Sequence, residues 1–430
     1  MTRQRFPTSI FLVALTITGL AVASANGQPP ASDCAGKPIA SIRFEGKFKL
    51  RRYILKREID SDVGAPLDPA QLDRDRQRIE SFGIFSRVKP LVEDRGDSVD
   101  LVFSLREVWT IEPLLSLRTT DGKIDWSVGV ADKNFLGYFV QPRILYRRYE
   151  GKNSGFFYLI APRAFGKDLS LGLSLTDQRE IQPLGRLGES ADYDYLNKSI
   201  AVSVGHRLHE NVYPRISGGY DRENWTMRDG QTTINDFIAS IDHPRYFIGL
   251  GVVLGRVYYD HYLYTGQDVS HDFTMIDELP EGRFNKWRYS LTARKLWIMH
   301  PFNFGLRGSY QTSSSDERVP PFAISGESNV RGFADKIERG DQLLFGNAEI
   351  RLQVLDRHTF YSQLAVFADY GAVWGRWRTA STAFRDPYWS IGIGLRGAIQ
   401  QWLGRIGRID LALNPQTGHI SLYMAKSQFF

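Results

Sequence analysis

Cysteine is almost absent from this 430-residue chain: with Cys34 as the single example, no internal disulfide can form. Beyond the first residues there is no run of 18 or more apolar residues, which excludes helical membrane spans. Enzyme signatures are missing as well. No G-x-S-x-G elbow or H-E-x-x-H pair occurs, and the eight histidines, His206 and His209 among them, are scattered. The chain therefore reads as a non-enzyme with no cofactor and no metal. Charge of one sign is also in short supply: 54 Lys and Arg against 48 Asp and Glu leave a net +6 spread along the chain, which argues against nucleic acid as a partner. A closed barrel of short strands passes all these exclusions, because its strands hide half their side chains from lipid and give no helical hydropathy signal. Aromatic residues at 13% and 39 glycines suit the girdles and tight turns of such a barrel.

The N-terminus carries Arg3 and Arg5, an apolar stretch from Ile10 to Val22, and Ala23-Ser24-Ala25. This pattern predicts a secretory signal peptide over residues 1–25 and a short N-terminal segment over 26–37. Ala31, Ser32 and Asp33 ahead of Cys34 do not suit lipid attachment, so the thiol is expected to be a bystander.

Residues 38–108 give strand, helix, helix, strand, strand. Ile39 to Phe44 alternates, Leu50, Tyr53, Ile54 and Arg57 recur at helical spacing, and Asp68 and Pro69 open a second helix carrying Leu72, Ile79 and Phe82. Phe85 to Glu93 and Val99 to Leu105 alternate again around a turn at residues 94–98. This order, with Phe82-Gly83-Ile84-Phe85-Ser86-Arg87-Val88, resembles a POTRA domain, the periplasmic polypeptide-transport module. An unrelated small α+β domain is the alternative.

From Trp109 to Phe430 helices disappear. Strand-like runs begin near 111, 124, 138, 153, 168, 196, 213, 232, 248, 286, 302, 341, 361, 388, 406 and 417, which makes about sixteen antiparallel strands. Leu169, Leu171, Leu173 and Leu175 alternate with Ser170, Gly172, Ser174 and Thr176, lipid outside and lumen inside. A soluble β-sandwich would also alternate; the length of the series, the signal peptide and the terminal Phe430, a barrel-recognition residue, favour the all-β transmembrane barrel. The hydrophilic stretches from Gly185 to Asn197 and from Gly266 to Phe284 read as extracellular loops. No linker separates the two regions at Leu105 to Trp109, so the small domain is expected close under the barrel.

Two late strands place charges together. Leu364, Val366, Ala368, Tyr370, Ala372 and Trp374 form a lipid-compatible set that turns Asp369 inward, and Leu344, Ala348, Ile350, Leu352 and Val354 leave Asn347, Glu349, Arg351 and Gln353 inward. A hairpin turning near Thr359 sets Glu349 roughly opposite Asp369, and Arg331, in the long connection around 314–340, is a natural cation for both. Separately solvated charges in a wet lumen are the equal alternative on geometry alone.

Val330-Arg331-Gly332-Phe333, Asn347-Ala348-Glu349-Ile350-Arg351 and Phe367-Ala368-Asp369-Tyr370-Gly371-Ala372-Val373-Trp374 resemble the motifs of the outer-membrane assembly and translocation superfamily, which includes the BamA/TamA insertases and two-partner secretion transporters. The resemblance implies that the sixth extracellular loop folds into the barrel, that Val330, Arg331, Gly332 and Phe333 form a latch with Asp369, Glu349 and Gly371 as lumen partners, and that five strands follow the loop. It also implies a bacterial outer-membrane location with the POTRA-like domain in the periplasm, contact with outer-membrane lipid, unfolded or exported polypeptide clients at the POTRA edge, and a periplasmic or inner-membrane partner protein. The function so implied is insertion of β-barrel proteins or translocation of polypeptides. A passive diffusion pore and a structural surface antigen are the alternatives. The chain departs from the pattern in having one POTRA-like domain, Ser325-Gly326 before the loop motif, and Lys426 and Gln428 in its last strand.

Overall fold

The computed structural model describes residues 31–120, 123–165, 169–186, 189–230, 240–260, 263–280, 282–314, 317, 319–326, 328–334, 336–357, 360–399 and 407–426. The expected signal peptide, the hairpin turn at Thr359 and Phe430 lie outside the described residues.

After a short 3-10 turn at Ala31–Cys34, the chain forms β1 (Ile39–Lys47), α1 (Arg52–Glu58), α2 (Pro69–Glu80), β2 (Phe85–Asp94) and β3 (Val99–Glu107). Helix α2 starts where the sequence places it: the Asp68 carboxylate accepts from the Ala70 N–H at 2.9 Å, with Pro69 at the first helical position, where its missing N–H costs nothing. Strand β3 is central, parallel to β1 and antiparallel to β2. Alternation turns Leu101, Phe103 and Leu105 toward the helices, where Ile54, Leu55, Leu72 and Ile79 complete a core. Cys34 is buried in that core and packs as a small apolar residue.

The barrel strands that follow are β4 (Ile111–Thr120), β5 (Lys123–Asp132), β6 (Gln141–Tyr149), β7 (Lys152–Ala161), β8 (Leu169–Arg186), β9 (Glu189–His206), β10 (Val212–Gly230), β11 (Ser240–Asp260), β12 (Leu263–Glu278), β13 (Lys286–Met299) and β14 (Phe302–Ser313). A two-stranded insert, β15 (Phe322–Ile324) and β16 (Glu338–Gly340), lies in the next connection. Strands β17 (Gln342–Arg357), β18 (Phe360–Trp374), β19 (Tyr388–Ile399), β20 (Gly407–Leu413) and β21 (Ile420–Lys426) complete the wall, with α3 (Ala380–Arg385) between β18 and β19. Sixteen antiparallel strands close when β21 pairs with β4. Five barrel strands follow the long connection, as the resemblance implies. The outward residues are apolar and exposed, for example Val202, Val204, Ile391 and Ile393, as a surface facing hydrocarbon requires.

The sequence reading needs correction where strands are polar. A strand beginning near 232 and another near 248 are one strand, β11, and the next barrel strand is β12 from Leu263. The stretches Gly185 to Asn197 and Gly266 to Phe284, read as loops, are largely strand, in the β8–β9 hairpin and in β12. These strands run 16 to 21 residues, well beyond the roughly 9–11 that cross a bilayer, so their outer halves carry water-compatible side chains. Ala372, assigned to the lipid set, is buried; α3 packs on β18 and sets the Phe384 ring at a tilt against Trp374, centroids 5.2 Å apart.

The small domain sits directly under the barrel. The Arg51 N–H donates to the Gly137 carbonyl at 2.9 Å, and Asn134 Nδ2 donates to Glu107 Oε1 at 2.8 Å. Phe139, from the β5–β6 turn, packs edge-on against Phe82 at 4.5 Å. Arg163, from the β7–β8 turn, forms a buried ion pair with Glu58 of α1, and its guanidinium lies 4.6 Å over the Phe82 ring. Arg163→Ala removes the cation from beside a buried carboxylate, a change that costs about 3–5 kcal/mol in comparable pairs. Hydrogen exchange across Arg52–Glu58 is expected to quicken in that variant, while heat-dependent gel mobility of the barrel stays unchanged; unaltered exchange would show that the pair does not hold the domain.

Candidate functional site

The connection between β14 and β17 enters the lumen. Val330 and Phe333 are buried with Ile324, Leu343, Phe345 and Val373, so apolar packing carries the tip of this loop onto the wall made by β17 and β18. Gly332 adopts φ +88°, a left-handed conformation open to glycine at no steric cost, and its N–H donates to the Tyr423 hydroxyl of β21 at 2.9 Å. A Cβ at Gly371 would lie 2.7 Å from Val330 and 2.8 Å from Ile324, so this glycine leaves room for the loop. Phe333 meets Tyr388 edge-on at 5.3 Å.

Arg331 has no solvent exposure. Its Nε and Nη2 donate to the two oxygens of Asp369 at 2.8 and 2.9 Å, a bidentate pair that places the charge in one geometry. Its backbone N–H also donates to Asp369, at 3.1 Å. Nη1 reaches Glu349 at 3.2 Å and Asp410 at 3.1 Å, and the guanidinium lies 3.4 Å over the Phe367 ring. Val330, Arg331, Gly332, Phe333, Glu349, Asp369 and Gly371 are thus brought together.

The register corrects one geometric expectation. Asp369 pairs with Asn347, and Glu349 pairs with Phe367, so the two carboxylates are diagonal neighbours. Asn347 Nδ2 fills the position opposite, donating to Asp369 at 2.8 Å and to the Asn329 carbonyl at 2.7 Å. Glu349 also accepts from Arg351 Nε and Arg396 Nη2, both at 2.7 Å. Asp410 is met by Arg396 and Arg408. Two other arginines therefore serve Glu349 and two serve Asp410, whereas the bidentate partner of Asp369 is Arg331. Asp410, Arg396, Arg408 and Tyr423 were not singled out from sequence, although the alternation of Ile409, Asp410 and Leu411 turns Asp410 inward.

A second set of contacts holds the far end of the loop to the opposite wall. Lys336 Nζ pairs with Glu180 of β8 at 2.7 Å and lies 5.4 Å over Tyr195 of β9. Arg339 donates to Gln182 of β8 at 2.5 Å and lies 5.2 Å over Trp225 of β10, beside which Val319 is buried. The loop therefore crosses the lumen from β17, β18 and β20 to β8, β9 and β10. Among the described residues no group of three His, Cys, Asp or Glu side chains is arranged for a metal.

Arg331→Ala leaves the Asp369 carboxylate buried with only Asn347 as side-chain donor, which costs about 3–5 kcal/mol in a desolvated site. The expected result is faster protease cleavage within 314–340 with the barrel still folded, and Arg331→Lys is expected to restore little, because an ammonium cannot make the bidentate pair. Unchanged protease access would remove Arg331 as the loop's principal tie.

Compared with known proteins, residues 147–413 match the Omp85 superfamily domain and residues 38–108 match POTRA, described as a surface antigen variable number repeat. The chain is 24% identical over 385 residues to the outer membrane protein assembly factor BamA of Neisseria meningitidis serogroup B, covering 78% of this chain and 46% of that protein. It is 32% identical over 73 residues to BamA of Nitratidesulfovibrio vulgaris, 17% of this chain and 9% of that protein. The chain thus spans less than half the length of these curated relatives. Among solved structures, BamA from Haemophilus ducreyi lacking POTRA domains 1–3 superposes with a TM-score of 0.59 at 16% identity, covering 91% of this chain and 84% of that one. CdiB from Acinetobacter baumannii gives 0.61 at 15% identity, covering 91% and 74%. At these identities the likeness is one of fold.

Proposed function

The chain belongs to the Omp85 superfamily, an outer-membrane barrel with a periplasmic POTRA domain, and from that premise we propose that it inserts β-barrel proteins into the outer membrane or passes polypeptides across it. The observation that carries this reading is the seam. Strands β21 and β4 close the barrel, pairing from Leu422 opposite Thr119 to Ala425 opposite Ser116 among the described residues. If this closure opens, the two freed strand edges would template another strand. Beside it lies a cavity of about 490 Å³ lined by Ser116 and Arg118 of β4 and by Tyr423 and Ala425 of β21.

In this reading a client segment first adds to an edge of the POTRA sheet by backbone pairing, then engages the barrel at the seam. The Val330 to Phe333 segment acts as a latch: Tyr423 of the closing strand holds Gly332 while Arg331 holds Asp369, so the loop braces the wall next to the strand that parts. No step requires bond chemistry. Passive diffusion fits less well, because the loop crosses the lumen and is tied to both walls.

A disulfide between Ser116→Cys and Ala425→Cys, which face each other across the seam, is expected to leave the barrel folded and to abolish client delivery until reductant is added. Full delivery by the cross-linked protein would contradict the seam reading. Depletion in the native host, followed by proteomics of outer membrane and medium, separates the two activities: broad loss of barrels supports insertion and loss of a few secreted proteins supports translocation, while an unchanged proteome would sink both.

A further inference from the structure

Three cations stand in a row across the POTRA sheet at its barrel end. In the β1–β3 register Lys47 faces Arg106, and in the β2–β3 register Arg87 faces the same Arg106. Residues directly opposite share a face with their Cβ atoms about 5 Å apart, and like charges there repel. All three are exposed, and among the described residues none of them forms an ion pair. Elsewhere on the sheet Lys37 meets Asp94 at 2.7 Å, Arg43 meets Glu93 at 2.6 Å and Arg95 meets Asp100, while exposed Glu45 and Lys89, both opposite Ser104, form no ion pair among the described residues. In the barrel-end row three unpaired cations stand side by side, and that concentration of like charge calls for an anion from outside the domain.

Its position says which anion. Arg106 lies three residues before Trp109, which is 68% exposed, and five before Ile111, the first lipid-facing residue of the barrel. Five extended residues span about 17 Å, and a long cationic side chain shortens the gap to the headgroup layer. On the other side the chain leaving β1 adds exposed Lys49, Arg51 and Arg52, and the Arg51 guanidinium lies 5.0 Å over Tyr138 in the β5–β6 turn, next to Leu136 at 69% exposure. Exposed aromatic and aliphatic residues beside a basic strip are what an interfacial lipid layer accommodates.

We propose that Lys47, Arg87 and Arg106, with Lys49, Arg51 and Arg52, bind phosphate groups of anionic phospholipids in the periplasmic leaflet, fixing the POTRA sheet against the membrane. An acidic protein is the poorer occupant, because the chain from Arg106 runs through exposed Trp109 directly into Ile111 of the barrel wall.

The test uses the full chain in nanodiscs of phosphatidylcholine, with or without phosphatidylglycerol, read by hydrogen exchange over residues 45–52 and 104–109. Phosphatidylglycerol is expected to slow exchange roughly tenfold, an effect that added salt removes. The triple variant Lys47→Gln, Arg87→Gln, Arg106→Gln is expected to lose the difference, and Lys47→Arg, Arg87→Lys, Arg106→Lys to keep it; unchanged exchange in α2 checks that both variants are folded. Equal exchange in the two lipid compositions, a difference that persists in the triple Gln variant, or protection that needs an added acidic protein would each overturn the proposal.

Discussion

A guanidinium with no solvent exposure must be neutralised where it lies, and Arg331 imposes that condition on this barrel. Asp369 comes from β18, Glu349 from β17 and Asp410 from β20, so the charge is balanced only when three strands and the loop tip stand in one arrangement. The wall therefore specifies the loop and the loop specifies the wall. Arg351, Arg396 and Arg408 extend the network by pairing with the same carboxylates, which makes Glu349 and Asp410 shared and leaves Asp369 most dependent on Arg331.

That anchor is one of several ties that hold loop, wall and small domain together. The wall opposite is tied through Glu180, Gln182 and the Trp225 cluster, so the loop braces the lumen at both ends. The POTRA domain is fixed from below by Glu58 and Arg163, away from the closing strands. At the closure of β21 on β4, the Tyr423 hydroxyl is held by the Gly332 N–H. In the function we propose, these ties hold the rest of the wall while the closure between β21 and β4 exchanges partners.

Much of this was legible in the sequence because period-two alternation is set by the pleat and survives any change of register. It placed Asp369, Glu349, Asn347 and Arg351 inward, whereas the count of sixteen strands came out right because dividing β11 in two offset the omission of β12. Alternation does not fix which residues stand opposite, and the pairing of Asp369 with Asn347 depends on a turn length and on the irregularity between Gln353 and Leu355. Strand β12 and the β8–β9 hairpin looked like loops because their outer halves leave the hydrocarbon and carry polar side chains. Asp410 and Arg396 were missed since β20 and β19 are largely apolar strands without a motif around these charges, and only closure of the barrel brings them to Arg331. The cation row across β1, β3 and β2 was hidden for the same reason: Lys47, Arg87 and Arg106 are far apart in sequence and meet through strand pairing.

The central claim, that Arg331 and Asp369 act as one unit on which the loop depends, is tested most directly by a double-mutant cycle with Arg331→Ala and Asp369→Asn, read as unfolding free energy of the reconstituted barrel. The account predicts a coupling of at least about 2 kcal/mol for this pair and a clearly smaller one for Arg331→Ala with Glu349→Gln, whose carboxylate has other arginines. Additive effects of Arg331→Ala and Asp369→Asn, or equal coupling in the two cycles, would contradict it.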